Sequence, residues 1–235
     1  MIQTVISAVG AGGKTSFLLA LARRYAAQGR RVVFTTSTHI QMLPDQPGIR
    51  ILGVPEEAHR KYASPFIGNS LGSILPQFRS SLKAADVILI EADGAKGYPL
   101  KLPRAHEPVI LQETQTVYGV AGMTAIGRRW EEACFAFDKG LLELILGTAN
   151  PAADEMNSAL SNAAVIRKED VAGILLSRYG TQKDVGVRHY KVVLNQCDGP
   201  EEVRNALWIR DALAERGMMK EDVLLCRHGM VIEEQ

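Results

Sequence analysis

Near the start of the chain, the apolar run Thr4-Val5-Ile6 leads through Gly10-Ala11-Gly12-Gly13 into Lys14-Thr15-Ser16. Apolar residues at helical spacing follow: Phe17, Leu18, Leu21, Ala22 and Tyr25, with Gly29 where a helix would end left-handed. A strand passing through a glycine-rich turn into a helix, and then into the run Arg31-Val32-Val33-Phe34, is a strand, loop, helix, strand unit. Similar short apolar runs recur at Val87–Ile90, Val117–Val120, Val192–Leu194 and Val223–Leu225. Apolar residues three or four apart predict helices over Ser70–Ala84, Asp138–Leu146, Lys168–Leu176 and Glu201–Arg216. The alternation predicts an α/β fold with three layers, α/β/α, around a mostly parallel central sheet. With 235 residues, 46% of them apolar, the chain can bury one sizeable core, so one domain over 1–235 is expected. Ala149–Ala164 is rich in Ala, Asn, Ser, Asp and Pro and reads as a surface insertion.

The turn between first strand and first helix carries chemistry. Glycines at 10, 12 and 13 allow the backbone to approach an anion with its N–H groups inward, and the helix N-terminus adds partial positive charge. Gly10, Ala11, Gly12, Gly13, Lys14, Thr15 and Ser16 therefore form the expected cradle for the phosphates of a nucleoside triphosphate, GTP or ATP. Lys14 supplies a mobile point charge to the β- and γ-phosphates, and the Thr15 hydroxyl is a ligand for a bridging Mg2+. Ala8 stands where the phosphate-loop pattern G-x-x-x-x-G-K-[ST] has its first glycine. A bare tight connection would also explain the glycines, but not Lys14-Thr15 at the helix start.

A second apolar strand ends in Glu91-Ala92-Asp93-Gly94-Ala95-Lys96-Gly97, which puts two carboxylates where ligands collect in open α/β sheets. Lys14, Glu91 and Asp93 are the candidate catalytic residues, and Thr15, Glu91 and Asp93 the candidate Mg2+ ligands; one acid can hold the metal and the other orient a nucleophile. The hydroxyl-rich run Thr35–Ile40 offers Thr36, Thr38 and His39 to a phosphate or substrate oxygen, or else caps a strand end. The proline-stiffened loop 95–108 gathers Lys96, Lys101, Arg104, His106 and Glu107 as a candidate substrate or partner loop. Asn195-Gln196-Cys197-Asp198 is similar to the guanine-reading N-K-x-D motif with Gln196 in place of lysine, so Asn195 and Asp198 are candidate base contacts; an ordinary turn after a strand reads the same way. Cys197 is a candidate thiol contact or a small buried hydrophobe, and Cys226 with His228 supplies only two metal ligands.

Charge narrows the partners. Lys+Arg (27) nearly cancels Asp+Glu (26) and no like-charge block occurs, which argues against nucleic acid. Three well-separated cysteines suit a reducing cytosol, and neither a secretory signal nor a membrane-length apolar run is visible, so a soluble cytoplasmic protein is expected.

These motifs together resemble one family. The loop Gly10–Thr15, the hydroxyl run Thr35–Ile40, Glu91–Gly97, Pro99-Leu100-Lys101 and His106-Glu107-Pro108-Val109-Ile110 occur in that order in the YqeC-type selenium cofactor biosynthesis proteins, accessory proteins of selenium-dependent molybdenum hydroxylases. The acidic motif followed by His-Glu-Pro is the most specific part, and the resemblance is weakest over 149–186. It implies a P-loop NTPase-like fold and a nucleotide-binding role in maturing the selenium/molybdenum cofactor, with maturation proteins or the hydroxylase as partners. Three activities remain open: NTP hydrolysis, phosphoryl transfer by a small-molecule kinase or ligase, and non-catalytic gating of a partner enzyme.

Overall fold

The computed structural model describes residues 3–149 and 165–232. In chain order the strands and helices are β1 (Thr4–Gly10), α1 (Lys14–Ala27), β2 (Val32–Thr36), β3 (His39–Gln41), β4 (Ile49–Leu52), β5 (Val54–Glu56), β6 (Lys61–Ala63), α2 (Arg79–Ala84) and β7 (Val87–Glu91). There follow β8 (Leu100–Lys101), β9 (Thr116–Gly122), α3 (Trp130–Ala133), β10 (Cys134–Phe135), α4 (Lys139–Ala149), α5 (Lys168–Leu176), β11 (His189–Asn195), α6 (Pro200–Glu215), β12 (Val223–Arg227) and β13 (Met230–Val231).

Eight strands form the central sheet in the order β13-β12-β11-β9-β1-β7-β2-β4. Every pairing in it is parallel except β12 with β13. Side-chain alternation along the strands builds the layers. Ile6, Val87, Leu89 and Val193 pack with Phe17, Leu18 and Ala22 of α1 on one face. Val5, Ile88 and Ile90 point the other way, toward Leu82 of α2. Val192 and Leu194 join that second face under α5 and α6, meeting Val171, Ile174, Ile209 and Leu213. With both faces covered, β7 reads as an unbroken apolar run from Val87 to Ile90, and ends on Glu91.

This is the expected three-layer α/β/α arrangement, consistent with a P-loop NTPase-like fold. All six apolar runs become strands of the central sheet, and the helices over Lys168–Leu176 and 200–215 lie where periodicity placed them. The helix expected over Asp138–Leu146 runs instead over Lys139–Ala149. The long helix expected over Ser70–Ala84 is a correction. Only Arg79–Ala84 is α-helical, preceded by the 3-10 turns Leu71–Ser73 and Pro76–Phe78. Pro76 lacks an N–H and forces the residue before it out of helical backbone, and Leu75 accordingly sits at ψ 142°. The insertion expected at 149–164 lies outside the described residues except for Ala149, which ends α4. Two small sheets, β3-β6-β5 and β10-β8, were not legible because their strands are two or three residues long.

The topology fixes where a ligand can sit. From β1 the chain crosses to β2 on one side of the sheet, whereas β9, β11 and β12 extend it on the other. Connections leaving in opposite directions open a crevice at the carboxyl ends of β1 and β9. The glycine-rich turn lies there, and the neighbouring strand β7 brings Glu91 level with Ala8.

Candidate functional site

Ala8 needs no glycine. It is a fully buried strand residue beneath α1, and the left-handed backbone begins only at Gly10 (φ 92°), recurring at Gly12 (80°) and Gly13 (99°). At Gly12 a Cβ would lie 2.1 Å from the backbone nitrogen of Gly122, so close approach to β9 demands glycine as strictly as the dihedral does. The N–H groups of the turn are partly committed. Gly10 donates to Asp93 Oδ2 (3.0 Å), Ala11 to the Val120 carbonyl (2.9 Å) and Gly12 to the Tyr98 carbonyl (3.0 Å). The inward-facing N–H groups expected at Gly10 and Gly12 are therefore spent on holding the turn. Among the described residues, the N–H groups of Gly13, Lys14, Thr15 and Ser16 find no protein acceptor, so the first turn of α1 is the available anion cradle.

Around this turn sits a buried charge network. Thr15 Oγ1 donates to Glu91 Oε2 at 2.7 Å. Lys14, 3% exposed, donates from Nζ to the Gly10 carbonyl (2.6 Å) and lies 3.0 Å from Asp93 Oδ1 and 3.7 Å from Glu91 Oε1. Asp93 Oδ1 is buried and has this close ion pair with Lys14, and no other polar partner among the described residues. Lys101, 2% exposed, donates to Glu107 Oε2 (2.7 Å) and the Gly94 carbonyl (2.6 Å), and lies 3.3 Å from Asp93 Oδ2. Two cations thus face three carboxylates. Burial works against the Lys14 ammonium, but Asp93 and Glu91 outweigh it and hold its pKa above the ordinary lysine value. Burial raises the Glu91 pKa, against the pull of Lys14 and Thr15. Burial also acts to raise Glu107, yet the Lys101 ammonium carries it below the ordinary glutamate value.

The donor set suits Mg2+. Among the described residues no cluster of three or more His, Cys, Asp or Glu side chains could enclose a metal ion by itself. Mg2+ does not require one, because it is commonly held by one or two carboxylates together with water and substrate phosphates. Thr15 Oγ1 and Glu91 Oε2 are hard oxygens already side by side, and the buried Asp93 Oδ1 has the Lys14 ammonium as its one polar contact among the described residues.

Other expected residues are placed differently. Thr36 Oγ1 donates to the Glu91 carbonyl (2.9 Å) and accepts from the Thr38 N–H (3.0 Å), so this hydroxyl shapes the strand end. His39 is exposed and lies 3.5 Å from Glu56. Lys101 and Glu107 belong to the network itself, whereas Lys96 and His106 are exposed. Asn195 is 1% exposed; its Nδ2 donates to the Gly12 carbonyl (2.7 Å) and its Oδ1 accepts from Gly229 N–H (3.1 Å). It buttresses the turn, while Asp198 stands half-exposed near His228. Gln196 Oε1 accepts from Thr124 (2.6 Å). Cys197 is wholly buried, and burial pushes its pKa up to about 11, which makes it a packing residue and not a reactive thiol. Cys226 is buried and His228 exposed, so the pair does not converge on a metal.

Two further residues belong to the site: Lys183, whose ammonium donates to the carbonyls of Arg104, Ala105 and Glu107 and pins that loop, and Phe135, which faces Lys101 across the β8-β10 pair. Neither residue falls in a recognisable pattern; only tertiary contact identifies them.

The family model described as YqeC protein matches residues 6–138, from β1 past β10, more than half of the chain. The chain belongs to the YqeC family. One YqeC relative, "Uncharacterized protein YqeC" of Escherichia coli (strain K12), is 40% identical over 139 residues, covering 54% of this chain and 54% of the relative. The chain thus spans about half the length of the curated YqeC relative it matches. The YqeC match takes in the glycine-rich turn, Glu91, Asp93, Lys101 and Glu107, and ends before Asn195 and Asp198.

Proposed function

We propose that this chain binds a magnesium-bound nucleoside triphosphate, GTP or ATP, with its phosphates on the first turn of α1, and hydrolyses it. The hydrogen bond from Thr15 to Glu91, with Lys14 beside it, carries this reading. A hydroxyl at a helix start facing a strand-end carboxylate would hold a Mg2+, which would neutralise charge on the transferring group. Lys14 exchanges its contacts with Gly10 and Asp93 for phosphate oxygens. Asp93 stays fixed by the Gly10 N–H and Lys101, and its Oδ1, relieved of Lys14, accepts a hydrogen bond from the attacking water.

The biological role we infer is in maturation of the selenium/molybdenum cofactor of selenium-dependent molybdenum hydroxylases, in the cytoplasm and with maturation proteins or the hydroxylase as partners. It rests on the motif resemblance from Gly10 through Ile110, which falls inside a region matched to the family. The test is phosphate release from Mg-ATP and Mg-GTP by wild type, Asp93→Asn and Asp198→Ala. Wild type should turn over one nucleotide, and Asp93→Asn should be slower by about 10²–10⁴-fold. Preference for GTP that is lost in Asp198→Ala supports base reading. No turnover of either nucleotide by wild type rules out hydrolysis.

A further inference from the structure

The cations of the 95–108 loop fall into two sets. Lys101 is buried and spent on Asp93, Glu107 and the Gly94 carbonyl. Lys96 and Arg104 are exposed, and among the described residues their side chains make no hydrogen bond or ion pair. Both nevertheless converge on the Phe135 ring, with Lys96 Nζ 5.5 Å and Arg104 Cζ 4.7 Å from its centroid; Lys101 Nζ is 5.6 Å away. Phe135 is held by parallel pairing with Lys101 and by the Leu102 N–H donating to its carbonyl (3.1 Å). Lys96 reaches this position from a left-handed backbone, φ 49°, a conformation unfavourable for a non-glycine residue.

Asp93 and Glu107 balance Lys101, and Glu107 also feels the charge of Arg104, whereas Lys96 and Arg104 meet at the ring with cation–π attraction as their contact there. An anion between Lys96 and Arg104 would complete that pair. A guanidinium held against an aromatic face keeps its N–H edge free, so Arg104 is pre-organised to donate to an incoming oxyanion while Lys96 adds a point charge. The patch is also tied to the phosphate turn, because Gly12 donates to the carbonyl of Tyr98, whose ring lies 5.7 Å from that of Phe135.

We propose that Lys96, Arg104 and Phe135 form a second anion site, which holds the phosphate group of a small-molecule co-ligand next to the bound nucleotide. Its place as a second site rests on the nucleotide reading above. The site differs from the first in using side chains on a ring in place of helix N–H groups, and Lys101 separates it from Asp93.

The test titrates pyrophosphate onto wild type saturated with Mg2+ and a non-hydrolysable ATP or GTP analogue, and onto Lys96→Gln/Arg104→Gln, which keeps the aliphatic stems. Wild type should bind pyrophosphate, and the double variant should bind it about tenfold or more weakly with unchanged nucleotide affinity. Equal binding by the two proteins, or none by wild type, overturns the proposal. If wild type binds no nucleotide, the nucleotide reading fails by itself. The same pyrophosphate comparison, run on Lys14→Ala with and without the two glutamines, then decides the second site alone.

Discussion

Lys101 shows how one buried side chain organises the candidate site. Its ammonium is 2% exposed and serves Asp93, Glu107 and the Gly94 carbonyl at once. Removing one partner of a buried ion pair leaves the other charge uncompensated, so Lys101→Met should cost about 3–5 kcal/mol of stability. Chemical denaturation of Lys101→Met and Lys101→Met/Glu107→Gln measures this, and the double variant should recover part of the loss. Glu107 gives the pH dependence. Its carboxyl is held below the ordinary value of 4.5 in the folded protein, so the native state binds fewer protons than the unfolded chain there. The stability it contributes is complete above 4.5 and is lost as pH falls through the lower folded value. The stability difference between wild type and Glu107→Gln should therefore be constant from neutral pH to about 4.5 and shrink below it. A difference that grows on acidification would contradict the direction of the shift. Sequence made Lys101 and Glu107 visible as charged loop residues, but their burial follows from a fold-back of residues 94–107 that no local pattern encodes.

At the scale of elements, the glycine-rich turn is constrained more by its neighbours than by a ligand. Gly12→Ala meets both a left-handed dihedral and the Gly122 backbone, and should destabilise the protein by about 1–3 kcal/mol or more while weakening nucleotide binding. Gly94 lies in the adjacent acidic motif, yet it has no positive φ and, among the described residues, its Cβ would meet nothing within 4 Å. Gly94→Ala should stay within about 0.5 kcal/mol of wild type. Thermal melts of the two variants check the contrast; equal losses would mean that the turn tolerates a side chain. The turn itself was legible because strand, glycines, lysine and threonine are contiguous. The commitment of its N–H groups to Asp93, Val120 and Tyr98 was not, since those acceptors lie 83 to 109 residues away in sequence. For a similar reason Asn195 looked like a base contact, when its amide bridges Gly12 and Gly229.

Across the whole molecule, the parallel sheet and its helices followed from the alternation of β-branched runs with amphipathic stretches. The order of strands did not, because pairing of β1 with β7 and β9 is set by tertiary packing. That order places the α1 start, Thr15 and Glu91 at one crevice, and the family match covers all three. No helix among the described residues is long and apolar enough to cross a membrane. On the proposed reading, the α1 start binds a nucleoside triphosphate with Mg2+. Calorimetric titration of wild type and Lys14→Ala with Mg-ATP and Mg-GTP decides whether it does. Wild type should bind at least one of them, more weakly when Mg2+ is chelated, and Lys14→Ala should lose about tenfold or more in affinity. Absence of binding by wild type at millimolar nucleotide, or equal affinity in Lys14→Ala, would contradict it.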